Sequence, residues 1–370
     1  MIKKYLLGAT LVILSIFLAF ILFEISISLI SKNRTVHNSN DHFISLELFP
    51  PNFRKQVIPS NEYLRQTDSF DNSRNYYIQT DKTGALVNPE DDNTFYNSKN
   101  LDILFLGGST TENMFIREDL RFPALTASIL NENKYCAPVN CTVLNAGGSG
   151  RIIPPSINIL LNRYLVPRPK IVILMNNAND LIYLLKGEEY WSNKRHITKV
   201  SRYPLFNLTT YSRLISFLFP RTYALITNYI DKFLYNETKK TSEMIEKKVT
   251  SDLEVQIAED YKESLNIFIN ICKTLNIKPI LMTQPSRFKD ANLAERYRPH
   301  LPGVTYEDFG RLHQKFNNIV RNYKNEGIMV IDLDKEIKPS KINMYDPVHL
   351  TNKGNQLAAE IITNDLLKNK

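Results

Sequence analysis

From residue 101 onward the chain repeats one pattern: a short apolar run, a longer stretch that is mostly helical in spacing, then another short apolar run. The runs fall at residues 101–106, 142–145, 170–175, 278–283 and 328–332. Each is too short for a buried helix, and its nearly unbroken apolar character says that both faces of a strand are covered. The segments between them are too long for hairpin turns, and crossovers of that length leave the strands parallel. The chain is therefore predicted to be α/β, a three-layer α/β/α arrangement around a five-stranded parallel sheet. Ile257, Tyr261, Leu265, Phe268 and Cys272 recur at helical spacing and predict a helix over 255–275 packed on that sheet, with Cys272 a small buried hydrophobe. A last helix is predicted over 352–367.

The ends of the runs carry the chemistry. The first leads through Gly107 and Gly108 into Ser109, a serine where a strand turns into a helix, which is how α/β enzymes present a nucleophile. Asp346-Pro347-Val348-His349 sets a carboxylate and an imidazole three residues apart. Brought together, His349 takes the Ser109 proton while Asp346 fixes the imidazole tautomer and stabilises the imidazolium. Two further run ends are rich in asparagine and glycine: Asn145-Ala146-Gly147-Gly148-Ser149-Gly150 and Asn177-Ala178-Asn179-Asp180. Singly, each block has a plain structural explanation, such as a glycine-serine turn, an asparagine turn or a helix-capping aspartate. Their order in one chain, each beside a strand or helix, is what points to a site.

In that order the blocks GGS, NAGGSG, NAND and DPVH resemble the SGNH/GDSL hydrolase family. The resemblance implies a flavodoxin-like sheet and a cofactor-free serine esterase, with Ser109 as nucleophile, His349 as base and Asp346 as its orienter. It also implies an oxyanion hole made of the Ser109 and Gly150 backbone N–H groups and the Asn179 amide. An ester carbonyl under attack needs such donors, and losing one costs roughly 10²–10³ in rate. The chain departs from the family pattern at Gly108, where an aspartate is usual, and at Asn177 and Ala178, where glycines often precede the asparagine.

Regularity breaks over residues 181–252, an aromatic-rich insertion that includes Tyr183, Tyr190, Trp191, Tyr203 and Phe206. It follows the Asn179 loop at the carboxyl end of the sheet, where α/β sites open. It reads either as a mostly helical cap that shapes the pocket or touches a membrane, or as a small core of its own. Two rim residues are expected near substrate: Trp191, which could stack on a sugar, and Arg287, as a contact for an anionic group.

Residues 5–23 carry no charge, and the apolar stretch continues to residue 30. At about 1.5 Å per residue this length suits a hydrocarbon core of roughly 30 Å. It exceeds the apolar core of a cleaved signal peptide and no A-x-A-like site follows, so a retained signal anchor is predicted over 5–30, after a cytoplasmic N-terminus at 1–4. Lys3 and Lys4 precede the span and Lys32 and Arg34 follow it, a slight bias that sets the catalytic domain outside the cytoplasm, periplasmic or extracellular. Residues 31–100, polar and punctuated by prolines, read as a stem or linker with 76–84 as an arm of a hairpin; residues 101–370 form the catalytic domain. The formal net charge is +8, of which the first 34 residues hold +3. The mild excess that remains suits an anionic envelope polymer or membrane surface, and no basic stripe accompanies a nucleic-acid motif. Cys136 and Cys141 are close enough in sequence to bridge in an oxidising compartment, and no cluster has zinc-site spacing, so no metal is expected.

These readings converge on a membrane-anchored serine esterase that removes a short acyl group, acetyl foremost, from a glycan or other envelope molecule. The alternatives are an O-acyltransferase to a sugar hydroxyl, a lipase or lysophospholipase, and a non-catalytic glycan-binding scaffold.

Overall fold

The computed structural model describes residues 48–71, 74–87, 101–191, 249–294, 301 and 303–370, with isolated positions at 15, 18, 19, 21–23, 219 and 222. The chain divides into two compact units, residues 1–45 with 200–245, and residues 46–199 with 246–370. Apart from isolated helical positions, the anchor predicted over 5–30 lies outside the described residues, as does most of the 181–252 insertion. Among the described residues no helix is long and apolar enough to cross a membrane.

In the second unit, β1 (Arg54–Val57) and β2 (Tyr76–Gln79) form an antiparallel ribbon, with the short helix α1 (Asn61–Arg65) between them. The stretch expected to be a stem thus contributes structure to the same unit as the main sheet. That sheet comprises β3 (Leu101–Gly107), β4 (Val143–Asn145), β5 (Pro169–Met175), β6 (Lys278–Met282) and β7 (Met329–Ile331), all parallel, in the order β4-β3-β5-β6-β7. The first strand of the sheet lies between the second and third, the flavodoxin-like order. Helices α2 (Ser109–Glu112), α3 (Phe122–Glu132), α4 (Ile153–Arg163), α5 (Ala178–Leu185), α6 (Ser251–Thr274), α7 (Tyr306–Asn322) and α8 (Asn352–Lys368) connect and flank the strands.

All of β3 is buried, as its apolar run requires. Its side chains alternate between two cores. Leu104 and Leu106 join residues of α4, α6 and α7, whereas Ile103 and Phe105 join residues of α3 and α8. The five helix positions expected to face the sheet, Ile257 to Cys272, are all buried along α6. That helix starts where Thr250 accepts a hydrogen bond from Leu253 N, followed by Asp252 and Glu254 in its first turn. The start of α4 has no cap from its own N-cap residue; the Asp180 carboxylate accepts from Ile153 N instead, at 3.0 Å. At the opposite, amino end of the sheet, Asp102 ties three strands together by accepting from Thr142 N and pairing with Lys170.

Phe105 is fully buried, and its ring meets Phe122 edge-on with centroids 5.6 Å apart. Phe105→Ala is expected to destabilise this unit by about 3–5 kcal/mol. Urea unfolding followed by far-UV circular dichroism measures this, and an unchanged midpoint would contradict a packed core on this face.

Candidate active site

Strand β3 ends at Gly107, Gly108 is the extended N-cap of α2, and Ser109 opens that single turn. The Asp346–His349 loop is closed by a bridge between Met344 and Leu350 and by Tyr345 N donating to His349 O. Across 240 residues of sequence, His349 Nε2 lies 2.8 Å from Ser109 Oγ, and on the other side of the ring Nδ1 lies 2.6 Å from Asp346 Oδ2. Asp346 Oδ1 accepts from the Val348 and His349 backbone N–H groups at 2.8 and 2.7 Å. The loop's own amides orient the carboxylate, and the carboxylate orients the ring. Nδ1–H therefore faces Asp346 and Nε2 is left for the serine proton.

Burial alone would raise the Asp346 carboxyl, but the His349 charge and the hydrogen bonds it receives hold it below the usual carboxylate range. Burial would likewise lower His349; the facing Asp346 charge and hydrogen bond, with a contribution from Glu112, hold it above the usual histidine value.

Of the three expected oxyanion donors, Ser109 stands at the N-terminus of α2 and Asn179 in the first turn of α5, both half-buried. The Asn179 amide donates one N–H to Arg151 O at 3.1 Å, which leaves its second N–H available. Asn176 Nδ2 donates to the same carbonyl at 2.9 Å. Gly150, next to Arg151 in the chain, has φ +73°, a backbone conformation that favours glycine, and an added Cβ there would meet nothing within 4 Å. Within the same loop the N–H groups of Gly147 and Gly148 are occupied by Asn145 Oδ1 and Gly107 O. Among the described hydrogen bonds, that of Gly150 has no such partner.

Several residues around this site carry no local sequence signal. Glu112, fully buried at the end of α2, accepts from Ser149 Oγ in the glycine loop. Burial pushes its carboxyl above the usual range against that hydrogen bond and the Arg151 and Arg121 charges. The buried Arg151 guanidinium donates to Ala146 O beneath the same loop. Gln284 joins the nucleophile and asparagine segments: its Oε1 accepts from Ala178 N at 2.8 Å and its Nε2 donates to Thr110 Oγ1 at 3.0 Å. Behind it, burial pushes His313 down to about 3, so this ring is neutral where it meets Gln284 Oε1. Glu112 and Arg151 adjoin the GGS and NAGGSG blocks, which is the only hint of them in the sequence.

Two rim expectations fare differently. Trp191 is exposed, at the edge of the described part of the insertion, with no contact to the triad among the described interactions. Arg287 corrects the reading of a substrate contact. It is only 1% exposed, and its guanidinium is occupied by both oxygens of Asp68, by Asp290 and by Met344 O. An arginine so neutralised and so deeply buried presents no donor at the surface for a substrate anion.

No family model matches the sequence, and no curated protein matches it. Similar solved structures include a member of the lipolytic G-D-S-L family from Veillonella parvula (13% identity, 71% of this chain and 97% of that one, TM-score 0.39). Others are a lipase/acylhydrolase from Enterococcus faecalis (15%, 73% and 97%, 0.39) and an acetylxylan esterase from Geobacillus stearothermophilus (13%, 73% and 96%, 0.39). At that level of likeness, function has to be argued from this chain's own side chains.

One such argument concerns Gly108. A Cβ built there would stand 2.3 Å from Asn179 Nδ2, so the amide occupies the space of a side chain at 108. Gly108→Ala is expected to leave the fold intact, because a flexible side chain can swing aside, yet to lower the turnover of an ester roughly 10²–10³-fold by displacing a donor. Wild-type kcat in this variant would remove Asn179 from the oxyanion hole.

Proposed function

We propose that the chain is an ester-bond hydrolase working through an acyl-enzyme. The observation that carries this reading is the continuous line from Ser109 Oγ through His349 to a buried, ionised Asp346, at the carboxyl end of β3 beside two amide-rich loops. As Oγ attacks the carbonyl carbon, His349 Nε2 takes its proton. The developing oxyanion meets the Ser109 and Gly150 N–H groups and the free N–H of Asn179. The imidazolium then protonates the leaving alcohol. Water, deprotonated by the same imidazole, attacks the acyl-serine, and as the acyl–Oγ bond breaks the imidazolium returns that proton to Ser109 Oγ and the acid is released.

The substrate we propose is a short acyl ester, acetyl foremost, on a glycan or other envelope molecule. Support for a small acyl group comes from the rings crowding the base: Tyr345 stacks on His349 at 5.7 Å and Tyr63 meets it edge-on at 6.5 Å. Support for an envelope substrate comes from the charge-free run over 5–23 and from the Cys136–Cys141 disulfide, which fits an oxidising compartment. On this reading the domain is anchored on the non-cytoplasmic side of a membrane.

Ser109→Ala in the full-length chain is expected to abolish both hydrolysis of p-nitrophenyl acetate and labelling by a fluorophosphonate, with an unchanged circular dichroism spectrum. Equal turnover by mutant and wild type would overturn the assignment. Rates are expected to fall from acetate to octanoate; the reverse order would favour a lipase, and acyl groups recovered on added sugar acceptors would mark a transferase.

The location has its own test. Alkaline phosphatase fused after Lys370 is expected to be active and green fluorescent protein at the same place to be dark; the opposite pair of results would put the domain in the cytoplasm.

A further inference from the structure

Four hydrogen bonds join the catalytic loop to a part of the chain that its sequence marks only as a polar stem. Residues 60–71, between β1 and β2, lie along the loop that carries Asp346 and His349 and bond to it at successive points. Asp68 N donates to Tyr345 O at 3.1 Å and Ser69 Oγ to Met344 O at 3.2 Å. The Asp68 carboxylate takes two hydrogen bonds from Arg287, each 2.9 Å, while Arg287 itself donates to Met344 O and, through its backbone N–H, to Pro347 O. Asp68 and Arg287 side chains are 4% and 1% exposed. A bidentate pair at that depth fixes geometry from both sides, because neither partner can be withdrawn without leaving a buried charge. Burial works against the pair, but the hydrogen bonds and charges exchanged hold Asp68 below the usual carboxylate range and Arg287 above its usual value.

The same segment reaches the triad itself. Tyr63, in α1, donates its hydroxyl toward Asp346 Oδ2 at 3.3 Å, with Tyr345 Oη at the same distance. Oδ2 is also the oxygen that holds His349 Nδ1. The Tyr63 ring is held in place by Phe70 and Phe115, at 6.2 and 5.0 Å between centroids.

We propose that residues 60–71 are a strap that positions the Asp346–His349 pair, fastened by the buried Asp68–Arg287 ion pair, with Tyr63 as a positioning residue whose hydroxyl sets how strongly Asp346 holds the imidazole. A donor on Oδ2 draws off part of the carboxylate's charge, so it lowers the affinity of the pair for the Nε2 proton and restrains the ring from being protonated too readily. The ionisable groups that act on His349 are Asp346 and Glu112, and those that act on the strap end are Asp290 and Lys341, both at Asp68–Arg287. Tyr63 and Tyr345 are held protonated well above neutral pH by burial and the Asp346 charge.

The role assigned to the imidazole rests on the esterase reading, whereas the test of the strap does not need turnover. Diethyl pyrocarbonate modifies neutral imidazole, so the pH dependence of His349 modification in the full-length chain, followed on its peptide by mass spectrometry, reports the pKa of that ring. Tyr63→Phe keeps the ring packing and removes the donor; the expected result is a His349 pKa higher by about half a unit. An unchanged or lower value overturns the proposal, whether or not the wild type hydrolyses esters, and fluorophosphonate labelling of Ser109 judges the esterase reading separately. Asp68→Asn is expected to lower kcat for a short acyl ester about tenfold or more with KM within a factor of two, and Arg287→Lys, which keeps the charge but not the fork, to fall between it and wild type. Wild-type kcat in a folded Asp68→Asn variant counts against the strap; if that variant does not fold, the Tyr63→Phe titration decides alone.

Discussion

A buried carboxylate must be satisfied or it neutralises, and much of the site follows from how Asp346 is satisfied. Two backbone amides of its own loop hold Oδ1, and the imidazole and Tyr63 share Oδ2. The His349 charge, its ring hydrogen bond and the two backbone amides outweigh the desolvation that would otherwise raise its pKa, so Asp346 stays ionised at 4% exposure. The tight Asp346–His349 turn is the cheapest way to deliver two of those donors, which is why a three-residue spacing can serve both as a structural motif and as the orienting half of a triad. Ser109 has only to arrive at the free nitrogen, and the flavodoxin-like order brings it there at the end of a central strand.

The sheet was legible because its information is local. Five runs buried on both faces have to be continuously apolar, and the strands fall within about two residues of those runs. The blocks at the strand ends were legible for the same reason, since a nucleophile turn and a glycine loop write their constraints into adjacent residues. The strap was not. Asp68 meets Arg287 across 219 positions and Tyr63 meets Asp346 across 283, and neither residue sits in a periodic pattern that would announce a partner. Arg287 misled for a related reason. Its place after a strand puts it near the rim, but only the distant Asp68 and the nearby Asp290 decide that its charge is consumed inside the protein.

Gly108 shows a third kind of constraint, legible as a departure but not as a cause. The residue before the nucleophile is glycine because the Asn179 amide approaches it closely, so the side-chain volume at 108 belongs to another loop. That exchange couples the nucleophile turn to the asparagine turn through space. Gln284 couples the same two turns from behind by bonding Thr110 and Ala178. The distance between the Ser109 turn and the Asn179 turn is thereby set twice, once by close contact and once by hydrogen bonds.

The two carboxylates that act electrostatically on His349 show how donors decide ionisation at equal depth. Asp346 and Glu112 are both buried, and in both cases burial is the largest influence and favours the neutral acid. Asp346 gathers four donors, the facing imidazole among them, and its pKa falls. Glu112 gathers one hydrogen bond, from Ser149, with its Oε1 unpartnered among the described residues and two arginines acting at longer range, and its pKa rises. The two environments push the proton affinities of the pair in opposite directions. Glu112 nonetheless acts on the imidazole in the same sense as Asp346, strengthening its hold on the proton. A base that must accept a proton from serine and then return it to a leaving alcohol works best when its pKa is near the operating pH. Beside that balance, the one hydrogen bond from Ser149 to Glu112 holds the glycine loop against the end of α2.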